Sequence, residues 1–135
     1  MTRIFNPSKS GIFNSKQLIV VSVVVVIILI MVIATIYIIT MSNKDATVTR
    51  DATTTLSSVQ MFAGDNSGVF PSAEVVSISQ LKAKYNLPEG YNYSYGTEST
   101  SSEDIMISNK NCNNQPGASV HFFLPSGGSR CIGTI

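Results

Sequence analysis

Two cysteines and a single histidine are the side chains with the most reactive chemistry in this sequence. Cys112 and Cys131 stand 19 positions apart, and His121 lies between them. An even cysteine count in a small exported domain reads as a disulfide, and closing a loop of about 20 residues is worth about 3 kcal/mol in the chain-entropy picture. The same three side chains could hold a metal, but their spacing fits no zinc pattern, and no metal site is expected. His121 reads as a strand histidine between Val120 and Phe122. A Ser-His-Asp relay would want a nucleophile elbow, and none is present. The run Asp65-Asn66-Ser67-Gly68 offers oxygens to calcium but lacks the acidic ligand count of an EF-hand. Tyr91, Tyr93 and Tyr95 alternate with Asn92 and Ser94, a pattern that packs one sheet face or, if left exposed, forms an adhesive patch. No catalytic residue and no cofactor is expected: the sequence reads as a non-enzyme.

What must position these residues begins with the stretch from Leu18 to Thr40. It contains no charge, no Pro and no Gly, and its few polar residues form no continuous face. About 23 residues at 1.5 Å each exceed a hydrocarbon core of about 30 Å, so residues 14–40 are expected to form a membrane-spanning helix. A secretory signal would be shorter and would end in small residues. Asn14 is the expected cap, with Gln17 three residues on and Phe13 and Leu18 spaced as a hydrophobic staple. Residues 1–13 form a short polar leader. Arg3, Lys9 and Lys16 precede the apolar run with no acid among them, whereas six basic and eight acidic residues follow Thr40. Positive residues stay inside, so the N-terminus is expected in the cytoplasm and the C-terminal part outside, on a single-pass chain. The mildly acidic outer part argues against nucleic acid as a partner.

Beyond the membrane the helix is expected to continue through residues 41–63. Val48, Ala52, Leu56, Val59 and Phe62 recur at intervals of four and three, an apolar stripe that needs a partner surface. Thr, Ser, Asp, Arg and Gln occupy the opposite face, and Gly64 reads as the stop. Residues 64–135 then supply the partner as one small domain with one disulfide. Ser77 and Gln80 have capping-box spacing for a short helix ending at Tyr85. Four short runs follow, at Tyr91–Tyr95, Asp104–Ser108, Ser119–Leu124 and Arg130–Ile135, bounded by Gly, Pro, Asn and Ser. They read as strands joined by meander-like loops. The fold class is α+β: a long N-terminal helix packed on a small antiparallel sheet of about four strands.

This order of parts resembles the type IV pilin and pseudopilin family over nearly the whole chain. The most specific local match lies at the helix exit, in Arg50-Asp51, Leu56 and the loop Asp65, Asn66, Ser67, Gly68, Val69, Phe70, Pro71. The resemblance implies a prepilin peptidase cut between Gly11 and Ile12, N-methylation of the new terminus, and storage in the inner (cytoplasmic) membrane. It also implies an inner-membrane assembly platform and other pilin subunits as partners, in an extracellular filament of a pilus or a type II secretion-like machine. The helix face carrying Leu18, Val26, Ile30 and Ile33 would pack against neighbouring helices. The sequence departs from the family at the fifth position after Gly11, where Lys16 replaces the usual Glu. That points to a minor pilin or pseudopilin. The alternative is a single-pass anchored binding or adhesion domain outside the membrane that does not polymerise.

Overall fold

The structure is a computed structural model that describes residues 14–134. The leader, the Gly11–Ile12 junction, the Phe13 half of the staple and Ile135 lie outside the described residues. The described residues divide into two units, with the boundary between Ile38 and Ile39.

One helix, α1 (Ser15–Asp65), begins in the first unit and ends in the second. Its start follows the sequence expectation. Asn14 Oδ1 accepts the Ser15 amide at 3.0 Å, and Gln17 Oε1 reaches back to the Asn14 amide at 3.2 Å. Within the apolar run the hydroxyls are satisfied by the helix itself: Ser22 donates to the Ile19 carbonyl and Thr35 to that of Met31, both at 2.8 Å. Such back-bonding lets a hydroxyl sit in an apolar stretch without an orphaned donor.

In the second unit the expected stripe is the buried face of α1. Val48, Ala52, Val59 and Phe62 are buried, and Leu56 is half-buried between the two core clusters. The stripe is wider than the apolar pattern indicates, because Thr55 and Ser58, expected on the polar face, are buried too. Both keep their hydrogen bonds. Thr55 donates to the Asp51 carbonyl at 2.9 Å, and Ser58 Oγ lies within 3.1 Å of the Thr54 carbonyl and 3.0 Å of the Tyr85 carbonyl.

The helix does not stop at Gly64, which lies inside it. It ends two residues past the expected Ala63, in a turn where the Gly68 amide reaches the Ala63 carbonyl at 2.7 Å and the Asn66 side chain caps the Phe62 carbonyl at 2.7 Å. Ser67 occupies the left-handed position at φ 57° that glycine usually fills. A Cβ there is strained, so Ser67→Gly is expected to stabilise the domain by about 0.5–1 kcal/mol. The thermal midpoint of the full chain in detergent would rise, and a fall would contradict this geometry.

α2 (Ile78–Tyr85) carries both halves of its capping box between Ser77 and Gln80. The sheet runs β1 (Asn92–Tyr95), β2 (Asp104–Lys110), β3 (Pro116–Phe123) and β4 (Ser129–Gly133), in that spatial order. β2, β3 and β4 pair antiparallel, as expected. β1 pairs with β2 in parallel, so the sheet is mixed rather than wholly antiparallel. A parallel return normally needs a longer crossover. Here β1 has only four residues, so the loop 96–103 has little distance to cover at about 3.3 Å per residue. Ser99 is buried with its hydroxyl 3.1 Å from the Ser101 carbonyl and 2.9 Å from that of Asp104, which folds the loop back on itself.

The core lies between α1, α2 and one face of this sheet. One cluster joins Val59 and Phe62 to Leu81, Tyr85, Leu87, Ile107 and Ala118. The other joins Val48 and Ala52 to Ile105, Val120 and Phe122.

Candidate functional site

The feature that ordinary folding does not account for is the apolar part of α1. Every described residue from 14 to 40 is exposed. The residues expected to face other subunits are among them: Leu18 at 59%, Val26 at 54%, Ile30 at 61% and Ile33 at 66% exposure. Their neighbours around the helix are equally open, so this part of α1 is apolar on all sides and has no polar face to turn to water. The helix is long and apolar enough to cross a membrane. A helix hydrophobic all round requires lipid or an apolar partner.

Where α1 leaves this stretch, polar contacts tie it to the domain. The Asp45 carboxylate accepts the Ser126 amide at 3.0 Å and also the Ser126 hydroxyl, clamping the β3–β4 turn to the helix. Asp51 Oδ1 lies 3.3 Å from Arg50, and its Oδ2 accepts the Tyr91 hydroxyl at 2.9 Å. The other tyrosines are also engaged. Tyr93 donates to the Pro88 carbonyl and Tyr95 to that of Val76, each at 2.8 Å. These rings therefore pack the inner sheet face rather than forming an exposed patch.

Partial burial, the hydrogen bond to Asp51 and the charge of that carboxylate push the Tyr91 phenol up to about 12. Burial raises Tyr93 and Tyr95 as well. A raised folded value means the unfolded phenol ionises first. The stabilising contribution is complete below pH 10 and is lost as pH climbs toward about 12. Tyr91→Phe is expected to flatten that alkaline loss in a titration of unfolding midpoint against pH. An unchanged alkaline limb would mean that Tyr91 is not the group responsible.

The helix-exit loop closes the seam below. Gly68 has φ 85°, Phe70 packs against the cluster of Phe62 and Leu81, and Pro71 is fully buried. Asp65 accepts the Tyr85 hydroxyl at 2.7 Å, so that carboxylate has a structural partner; Asn66 caps the helix end. No metal cluster of His, Cys, Asp or Glu occurs among the described residues.

Cys112 and Cys131 form the expected disulfide, with S–S 2.01 Å. His121 Nε2 lies 3.0 Å from Ser119 Oγ and 3.5 Å from Cys131 Sγ. The Ser119–His121 pair is not built for attack on a substrate, because Ser119 is fully buried and its hydroxyl donates to the Lys110 carbonyl at 2.6 Å. Open grooves of about 590 Å³ each flank α1 in the second unit. One is lined by Lys44, Asp51, Glu89 and Tyr91, the other by Arg50, Phe122, Arg130 and Ile132.

No family model, curated protein or solved structure matches this chain. The reading of its role therefore rests on its own residues. Three of the contacts above have no clear sequence signal. Ser126 is 81 positions from Asp45 and Tyr91 is 40 from Asp51. Cys131 meets His121 only through the β3–β4 register. The i, i+2 spacing of Ser119 and His121 is the one legible hint, since it places both on one face of a strand.

Proposed function

We propose that this chain is a structural subunit of a type IV pilin-like or type II secretion-like filament, in the role of a minor pilin or pseudopilin. The observation that carries the reading is the single helix α1, apolar and exposed on all sides in its first part and seated under a disulfide-bonded α+β domain in its second. Such a segment suits two environments. Lipid covers it while the subunit waits in the cytoplasmic membrane, with the N-terminus inside and the domain outside. The same surface meets the helices of other subunits once a filament forms, since burial against apolar side chains satisfies it equally. A prepilin peptidase and an inner-membrane platform would supply processing and assembly. The exit loop through Gly68, Phe70 and Pro71 supports the same family reading.

Lys16 favours a second reading. It stands where the family carries a Glu, so it cannot pair with a neighbouring subunit's terminal amine. An anchored domain that binds a partner outside the membrane and never polymerises needs no such pair. Intact mass and N-terminal sequencing of membrane and sheared surface fractions separate the two. A chain starting at Ile12 in sheared material supports the filament subunit. A chain that keeps Met1 and stays with the membrane overturns it in favour of the anchored domain.

A further inference from the structure

The outer side of the sheet holds a small polar cluster that neither reading above employs. Val120 and Phe122 of β3 pack toward α1, so Ser119 and His121, alternating with them, point the other way. β4 sets Cys131 directly opposite His121 in the ladder. Ser119 gives its one proton to the Lys110 carbonyl, so its oxygen must face His121 Nε2 as an acceptor. The imidazole is then the Nε2–H tautomer, and its N–H sits between an oxygen and one sulfur of the disulfide. Desolvation lowers the His121 pKa and favours this neutral ring.

The two sulfurs are therefore not equivalent. Cys131 Sγ has a hydrogen-bond donor 3.5 Å away. Cys112 Sγ has no such donor among the described residues, and it lies beside Gly133, where a Cβ would come within 3.2 Å of it. Cys112 is exposed whereas Cys131 is half-buried, so Cys112 is the sulfur an incoming thiolate can reach. We propose that the Cys112–Cys131 bond is a directed thiol–disulfide exchange site, attacked by a thiolate at Cys112, with Cys131 as the leaving sulfur received by His121.

The step balances without a further reagent. The incoming thiolate gives its lone pair to Cys112 Sγ and forms a new S–S bond. The Cys112–Cys131 bond breaks, and its electron pair departs on Cys131 Sγ as a thiolate. The incoming sulfur is oxidised and Cys131 is reduced. His121 keeps its proton and donates the N–H to the new thiolate, which later takes a proton from water. A charge-assisted hydrogen bond of this kind favours departure of Cys131 over Cys112 by about tenfold. The inference does not depend on whether the chain assembles into a filament.

The test treats the full chain in detergent with glutathione, quenches with an alkylating agent in acid, and maps the first-formed adduct by peptide mass. Glutathione is expected on Cys112 and alkyl on Cys131, by about tenfold over the reverse. His121→Phe should bring the ratio near one, while His121→Gln, which keeps an N–H donor, should hold much of the bias. Ser119→Ala frees the imidazole N–H for sulfur alone and should not lower it. Equal adducts in the parent chain, a majority on Cys131, or no adduct under conditions that reduce an exposed disulfide would overturn the proposal. So would an unchanged ratio in His121→Phe. Because the parent's own ratio decides, the proposal stays testable if that variant fails to fold.

Discussion

Phe122→Ala is expected to destabilise the sheet domain by about 3–5 kcal/mol, a large share of the roughly 5–15 kcal/mol that holds such a domain together. Phe122 is 1% exposed and packs with Val48 and Ala52 of α1 and with Ile105 and Val120 of the sheet. Removing the ring takes away its transfer free energy and leaves a cavity where helix and sheet meet. Both sides are regular elements, which limits how far they can collapse into it. For a domain of this size each kcal/mol moves the midpoint by about 4–8 °C, so a fall of about 12–40 °C is expected in the near-ultraviolet dichroism transition. The helical signal of the apolar run should survive, because its backbone bonds lie within the helix and its side chains rest in detergent. Phe123→Ala is the comparison, since Phe123 is only half-buried and should cost much less. Equal losses for the two variants would contradict the packing described here.

Much of this arrangement is written in local periodicity. Intervals of three and four placed Val48, Ala52, Val59 and Phe62 on the buried face. Capping chemistry placed Asn14 and the Ser77–Gln80 box at helix starts. The four strands fell near the apolar runs between turn residues, and the cysteine count indicated the disulfide. These signals act over a few residues, or count rather than locate.

What stayed hidden depends on where polar groups find partners and on the path of the loops. Thr55 and Ser58 look like solvent-face residues, and only their hydrogen bonds to main-chain carbonyls make burial tolerable. Gly64 looked like a stop, but a helix ends where its last carbonyls find other donors, and Asn66 and Gly68 supply those. The parallel β1–β2 pair was illegible because strand direction depends on the path of the loop, not on the alternation inside either strand. β3 begins at Pro116, earlier than its apolar run. The Asn111 side chain accepts the Asn113 and Gln115 amides and closes a turn just before it, and proline is tolerated as a first strand residue.

Ile30→Lys is expected to leave the chain in the membrane while abolishing any filament. Residues 18–40 contain seventeen Leu, Ile and Val, each favouring insertion by about 0.3–0.6 kcal/mol near the bilayer centre and less toward the ends. Their sum is about −5 to −8 kcal/mol, and one central lysine costs about 3 kcal/mol relative to isoleucine on the same scale. The balance stays negative, helped by snorkelling of the long side chain, so the variant and the parent are both expected to resist carbonate extraction. Val26→Lys added to it would use up most of the remainder, and the double variant should become extractable. A helix-packed filament core offers less relief. A lysine there is enclosed by apolar side chains of neighbouring subunits with no aqueous edge within reach, and an unpaired buried charge is worth several kcal/mol against each contact. The single substitution therefore separates two demands that the proposed filament subunit would place on one helix. Membrane retention with loss of the subunit from sheared surface material supports the filament subunit. Equal amounts of Ile30→Lys and parent chain in that material would show that the apolar helix is not packed in a filament core, and the anchored-domain reading would gain from a parent chain that is absent from it altogether.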